Sequence, residues 1–359
     1  MKVLHLDSQK TWRGGENQAQ LLIRGLQARH VEVAAVGRPD TPWVTRLSQS
    51  GCAVSVNDLR PTPPAVLQLR SVYRRFQPDI LHCHDSGSVF TAALARTGMG
   101  RKRPRLVISR RVDFAINSAF KYNHLCDRVL AIGRAVTEVL EQGGVASEQI
   151  RIVPSGIDPH RFDKSLPHAE ARLKLTPAPL ATDLVALCVA ALTDHKDHAT
   201  LIAAWRKAVD RDPRLRLYLA GTGELEPALR KQVTDLNLGS HVHFLGWRDD
   251  IPDLLAAADL FTLTSHLEGL GTTLMDAQYC GLPIVATLAG GIPEVVEHGV
   301  TGLLAAPRDS AAVAAAILAL AADPERRATM GKAGRLRAQQ LFVCDRMVEQ
   351  TLAVYQELL

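Results

Sequence analysis

The six cysteines, at 52, 83, 126, 188, 280 and 344, form no C-x-x-C pair. That spacing offers neither a zinc ribbon nor a disulfide framework, and it suits a reducing compartment. Long hydrophobic runs are also missing. The longest, AAVAAAILALAA at 311 to 322, is too short to cross a bilayer. Met1 leads straight into KVLHL without the basic, apolar, small-residue order of a secretory leader, so a soluble cytoplasmic protein is expected. Aromatic residues make up 5% of the chain and are not interleaved with basic ones, which argues against a nucleic-acid-binding module. The first strand candidate is followed by LDSQKTWRGGENQ rather than by G-x-G-x-x-G, and AGTGELE at 220 to 226 supplies only G-x-G. A dinucleotide oxidoreductase is therefore disfavoured.

What is present is ample core material. At 359 residues, 47% hydrophobic and 22% charged, the chain is long for a single domain, and two are expected. The net charge of +5 hides an asymmetry: residues 1–157 hold 22 Lys and Arg against 12 Asp and Glu, giving +10, whereas the remainder is acidic. A basic first half points to an anionic partner such as a phosphorylated substrate, an acidic membrane or nucleic acid, or else to a merely solvated surface.

Short β-rich runs alternate with helical patterns: KVLHL, VEVAAV, CAVSV, DILH, RLVIS, RVLAI and IRIV in the first half, then LVALCVAAL, LRLYLA, HVHFL, DLFTLT and PIVA in the second. This rhythm predicts parallel sheets with crossover helices, an α/β class of two doubly wound domains. The Pro-rich, polar stretch between them reads as hinge and linker. The expected organisation is a first domain over 1–157, a linker over 158–183, a second domain over 184–344, and a C-terminal helix over about 345–359 that is left over to pack back on the first.

Ligands of such sheets bind in loops beyond the carboxyl ends of the strands. In SHLEGLGTTLMDAQYCGLPIVAT, residues 265–287, a strand ends, a loop follows, and a helix starts with free amides and a positive dipole end suited to phosphate. Gly269 and Gly271 would let backbone approach a ligand. Glu268 precedes the helix and Asp276 lies about one turn inside it, so both carboxylates could accept hydrogen bonds from sugar or ribose hydroxyls. The plain alternative is that Glu268 charges a helix start and Asp276 is solvated.

The longer stretch HLEGLGTTLMDAQYCGLPIVATLAGGIPEVVEHGVTGLL closely resembles the acid-x7-acid region of retaining glycosyltransferases of family four, which have two facing Rossmann-like domains, the GT-B fold. Further echoes stand in family order: WRGGENQAQLL (12–22) resembles the double-glycine loop, PDILHCHDS (78–86) the His-x-His strand end, IRIVPSGIDPHRF (150–162) the interdomain crossover, and LYLAGTGE with VHFLGWRDDI the middle of the nucleotide domain.

The resemblance implies roles. Glu268 would contact the donor sugar, Lys196 would neutralise the diphosphate leaving group, and His84 would lie near the donor sugar. The amides of Gly269, Leu270, Gly271 and Thr272 would cradle the diphosphate, with Gly14 and Gly15 approaching from the first domain and Glu294 lining the pocket. Asp276 stands where the family has a second Glu on the ribose. The Arg that precedes the lysine by five residues is here Ala191, and Arg13 is a candidate substitute. Arg110 and Arg111, after a strand, could receive an anionic acceptor. His82 reads as packing.

The implied reaction is metal-independent transfer, with retention, from a nucleotide-diphosphate sugar to a glycan or glycolipid hydroxyl. A lysine and helix amides would do the work of a metal, and no D-x-D stands in a suitable loop. The +10 half, with Arg101, Lys102, Arg103 and Arg105 close together, suggests peripheral attachment to an anionic inner leaflet during bacterial surface-glycan synthesis, such as lipopolysaccharide core. A sugar-nucleotide epimerase on the same fold, or a non-catalytic basic membrane module, are the alternatives.

Overall fold

The computed structural model describes residues 1–100 and 103–359. Arg101 and Lys102, part of the basic cluster above, lie outside the described residues. The chain divides into two compact units, Met1–Gly156 with Cys344–Leu359, and Ile157–Val343.

The first unit holds strands β1 (Lys2–Asp7), β2 (Glu32–Gly37), β3 (Ala53–Val56), β4 (Ile80–Cys83), β5 (Arg105–Arg110), β6 (Arg128–Ala131) and β7 (Ile150–Ile152). They form one parallel sheet in the order β3-β2-β1-β4-β5-β6-β7. Helices α1 (Gly14–Ala28), α2 (Pro42–Gln49), α3 (Pro63–Phe76), α4 (Ser86–Ala95) and α5 (Arg134–Gln142) make the crossovers. The near-continuous apolar strands have the character of a sheet covered on both faces: Val3, Leu4 and Leu6 of β1, Leu81 of β4 and Val107 of β5 are fully buried.

The second unit opens with α6 (His168–Arg172) and then alternates β8 (Leu184–Val189), α7 (His198–Val209), β9 (Leu215–Ala220), α8 (Glu226–Asp235), β10 (Val242–Gly246), α9 (Ile251–Ala257), β11 (Leu260–Leu263), α10 (Thr272–Tyr279), β12 (Ile284–Thr287), α11 (Ile292–Val295), β13 (Gly302–Ala305), α12 (Ser310–Ala322) and α13 (Pro324–Leu341). Its parallel sheet runs β10-β9-β8-β11-β12-β13, the doubly wound order with its switch point between β8 and β11. In the first unit the switch point falls between β1 and β4.

Three features differ from the sequence reading. Strand β13 was not foreseen. It has only four residues, and Gly302 opens it because a Cβ there would meet the carbonyl oxygen of Ile284 at 2.5 Å. The segment read as linker belongs to the second unit. Arg172 Nη1 pairs with Asp259 at 3.1 Å, the Leu166 amide donates to Asp253 at 3.0 Å, and His168 bonds the Ala256 carbonyl at 2.7 Å. Proline and polar residues resemble a linker locally, but these partners lie 87 or 88 positions away. The first unit's main segment ends at Gly156, where Gln18 clamps both the amide and the carbonyl at 2.8 Å.

The stretch RMVEQTLAVYQELL lies almost wholly in α14 (Cys344–Gln356), which completes the core of the first unit. Met347, Val348, Val354 and Tyr355 join Leu22, Ile23 and Leu26 of α1 in one apolar cluster, where each fully buried aliphatic chain contributes about 1.5–3 kcal/mol. At the edge of this seam Arg29 pairs with Asp345 at 2.9 Å and Glu349 at 3.5 Å.

Helix α1 can approach α14 because Gly25 lacks a side chain: a Cβ there would meet Val348 Cγ2 at 2.4 Å. Gly25→Ala should therefore destabilise by about 1–3 kcal/mol through overpacking, outweighing the roughly 1 kcal/mol that alanine gains as a helix former. Adding Val348→Ala should recover part of that overpacking loss, as read in a double-mutant cycle of denaturant unfolding.

Candidate active site

The second unit concentrates its chemistry at the switch point. After β8 the chain makes a single helical turn, Asp194–Lys196, and Asp197 reverses it with φ of 47° while capping α7 through the Thr200 amide at 3.2 Å. After β11 the chain continues through Ser265 and His266 to Glu268. The two loops are stitched together: the His266 amide donates to the His195 carbonyl at 2.9 Å, and Thr264 Oγ1 donates to the Asp197 carbonyl at 2.9 Å.

This stitching brings Lys196 and Glu268 into contact. Lys196 Nζ lies 2.5 Å from Glu268 Oε2, and Ser265 Oγ donates to the same oxygen at 3.3 Å. The side chains are only 18% and 12% exposed, so removing either one leaves a poorly solvated charge behind. Lysine has three donors, so Nζ can keep Glu268 and still offer protons to an anion.

Beyond Glu268 the loop enters α10, whose N-terminus has no side-chain cap. Among the described residues, the amides of Gly269, Leu270, Gly271 and Thr272 have no protein acceptor. Packing accounts for the glycines. Gly271 has φ of +81° and a Cβ there would meet Leu274 at 2.7 Å, while a Cβ on Gly291 would meet the Gly269 carbonyl oxygen at 2.3 Å. The Gly291 amide donates to the Glu268 carbonyl at 2.8 Å, which ties the loop to the start of α11. Glu294 stands in that short helix, half-buried, and its carbonyl accepts from Arg337 at 2.9 Å.

Asp276 is buried in α10, not solvated, and Arg161 Nη1 approaches it at 3.5 Å. Arg161 is the partner that sequence reasoning missed. Its only signal was a cation in the crossover IDPHRF, and no local rule connects positions 115 apart. Ala191 is exposed on the loop after β8. That loop packs its backbone against Gly221 and Gly223, where a Cβ would meet the carbonyl oxygens of Ala190 at 2.0 Å and Leu192 at 2.3 Å. The G-x-G of AGTGELE is thus a packing feature.

In the first unit, His84 follows β4 and is buried, with Nε2 2.8 Å from Nδ1 of His5 and Nδ1 3.3 to 3.4 Å from the Arg111 guanidinium. Asp85 caps α4 through the Gly87 amide at 2.7 Å and holds the Ser8 amide at 3.0 Å. Gly14 and Gly15 begin α1, with the exposed Arg13 before them and its amide donating to Glu16 Oε2 at 2.7 Å. Arg111 reaches this turn, its Cδ lying 3.8 Å from a Cβ placed on Gly15. Arg110 spends Nε and Nη2 on the carbonyls of Val112 and Phe114 at 3.1 and 2.6 Å. Asp7, also unforeseen, ends β1 buried. Burial, followed by the nearby Asp85, pushes its carboxyl up to about 8. The nearest ring nitrogens of His5, His82 and His84 lie within 4.8 Å of one another, close enough for a metal ion, but five of the six have protein partners.

Residues 12–161 match the family described as Glycosyltransferase Family 4, and residues 177–337 match that described as Glycosyl transferases group 1. The chain belongs to these glycosyltransferases, which have the GT-B fold. It is 28% identical over 93% of its length to the lipopolysaccharide core biosynthesis glycosyltransferase LpsE of Rhizobium meliloti, covering 93% of that protein. It is 32% identical over 57% of its length to a GDP-mannose-dependent monoacylated alpha-(1-6)-phosphatidylinositol monomannoside mannosyltransferase of Corynebacterium glutamicum. Of that relative the chain spans 55%, and of the N-acetyl-alpha-D-glucosaminyl L-malate synthase of Bacillus anthracis 38%. Among solved structures, Anabaena HepE in complex with UDP-glucose superposes with a TM-score of 0.87 at 25% identity, covering 99% of this chain and 100% of that one.

Burial raises the Asp276 carboxyl to about 6, with Arg161 opposing the shift. Because the folded value lies above the unfolded one of about 3.9, folding favours the protonated form. That contribution is fully present below about pH 4 and is lost as pH rises through about 6. Asp276→Asn should remove it. The stability of the variant relative to wild type should improve by about 1–3 kcal/mol between pH 4 and 7, as measured by urea unfolding.

Proposed function

We propose that this protein transfers a sugar, with retention and without a divalent metal, from a nucleotide-diphosphate donor to a hydroxyl of a glycan or glycolipid in bacterial surface-glycan assembly. The observation that carries the reading is the Lys196–Glu268 pair beside the uncapped start of α10. A diphosphate leaving group develops negative charge as its bond to the anomeric carbon breaks. Fixed donors aimed at it stabilise that state without rearranging. Lys196 and the amides of Gly269 to Thr272 are such donors, already in place, and Glu268 is an acceptor for the hydroxyls of the departing sugar. Positive charge from lysine and backbone supplies what a cation would otherwise provide.

Retention follows if the acceptor hydroxyl enters on the face the diphosphate leaves, giving its proton to a diphosphate oxygen. The protein's part is then to position the partners and stabilise charge. Asp276 accepts a ribose hydroxyl in this scheme once ionised, and Arg161 holds its carboxylate. Similarity to the lipopolysaccharide-core enzyme over nearly the whole chain supports a surface-glycan acceptor, and similarity to a structure holding UDP-glucose supports a uridine-linked donor.

Lys196→Ala and Glu268→Ala should each lower kcat by about 10²–10³, with the fold intact by circular dichroism. Near-normal transfer by both would remove the basis of the proposal. A thermal-shift screen of nucleotide diphosphates and their sugars identifies the donor, because a ligand bound only to the folded state raises its melting temperature. Donor turnover that needs no second substrate would favour the epimerase.

The excess positive charge of residues 1–157 supports peripheral attachment to an anionic leaflet, each nearby cation adding on the order of 1 kcal/mol. Among the described residues no helix is long and apolar enough to span a membrane. Co-sedimentation with phosphatidylglycerol vesicles should fall as salt rises. Indifference to these vesicles at low salt would end the membrane part of the reading and leave sugar transfer standing.

A further inference from the structure

His84 offers no free ring nitrogen, although its motif suggested direct contact with the donor sugar. Its surroundings determine where its proton sits. A guanidinium can only donate hydrogen bonds, and both terminal nitrogens of Arg111 lie 3.3 to 3.4 Å from His84 Nδ1. Nδ1 is therefore an acceptor, and a neutral ring must carry its proton on Nε2. That Nε2–H points at Nδ1 of His5, 2.8 Å away with the ring planes 11° apart. His5 Nδ1 then accepts as well, which leaves the His5 proton on Nε2, a buried atom with no protein partner. Three side chains from β1, the end of β4 and the end of β5 thus form one directed chain.

We infer that His5 is a positioning residue for sugar transfer: by accepting the His84 Nε2–H it secures the tautomer in which His84 Nδ1 holds the Arg111 guanidinium at the Gly14–Gly15 turn. If His5 did not accept, the His84 Nε2–H would be buried without a partner, and only the long Arg111 contacts would favour that tautomer. A shift to Nδ1 would turn an acceptor into a donor facing a cation, and Arg111 would lose its anchor. The groups around the chain keep it from titrating. His82, also buried, has its nitrogens on Tyr355 of α14 at 2.5 Å and on Ser109 of β5 at 2.7 Å. Arg111 faces the field of Asp7 and Glu16, and Asp85 lies near Asp7. Burial holds His5 at about 3, drives His84 well below the usual imidazole range and lowers Arg111 to about 10. Both histidines stay neutral through physiological pH, so the chain orients and does not carry protons.

The kinetic consequence rests on the transferase reading above; the tautomers do not. Long-range 1H–15N spectra of histidine-labelled wild-type protein should show His5 and His84 both protonated on Nε2 and unchanged from pH 5 to 8. His84 protonated on Nδ1, or titrating in that window, would overturn the inference whatever the enzyme does. In transfer assays His5→Phe, which keeps a flat ring in the site and removes the acceptor, should lower kcat by about tenfold, as expected for one lost buried hydrogen bond, with UDP or UDP-sugar affinity unchanged. His5→Asn places an amide oxygen near the old Nδ1 and should restore most of that loss. Equal impairment by Asn and Phe, with both variants folded, would reduce His5 to a packing residue. Loss of all transfer in wild type would sink the transferase reading while leaving the spectra to decide the tautomers.

Discussion

Two parallel strands that feed their chains to opposite sides of one sheet must leave a gap at their carboxyl ends, and the second unit is organised around that gap. Strands β8 and β11 are neighbours, with Leu260 opposite Ala186. The helix that follows each loop has no helical partners for its first amides, so it needs side chains or a ligand to satisfy them; Asp197 caps α7, and α10 has no side-chain cap. The loop after β8 supplies Lys196 and the loop after β11 supplies Glu268. Their ion pair, with the Thr264 and His266 bonds beside it, closes the bottom of the crevice. Charge of both signs is thereby held beside a helix start that lacks its own cap.

The first unit treats the same gap differently. Instead of an ion pair it places a chain of neutral histidines beneath one arginine, and the C-terminal helix crosses back to bond that cluster through Tyr355. Each histidine is too buried to hold a proton at physiological pH. A neutral imidazole with one donor and one acceptor is a directional connector. Such an arrangement tolerates the low dielectric of a core because only its last member is charged.

Asp276 shows how burial changes a carboxylate. It lies inside α10 with Arg161 beside it, and it still prefers to be protonated up to about pH 6. The pair also gives the crossover segment a function beyond connection, because Arg161 reaches α10 from a short turn that composition alone reads as linker.

Most of the architecture could be read from the chain. Twelve strand candidates matched twelve of the thirteen strands among the described residues, because a parallel strand buried on both faces is a near-continuous apolar run, as VEVAAV and LVALCVAAL are. The Glu268 loop was legible for a related reason: the end of an apolar run, glycines and a helix start are all local signals. What the sequence could not hold is distance. It did not say that His84 would spend both nitrogens on the protein, that Arg161 would meet Asp276, or that residues 158–183 would fasten to Asp253 and Asp259. Those partners are tens of positions apart, and only the closing of the sheets sets their separations. Local pattern set the strands, their doubly wound class and the acid at a strand end, and the family resemblance added the lysine. Which of those groups face each other came from the closing of the fold, because a buried polar group takes whatever partner the packing brings within hydrogen-bond reach.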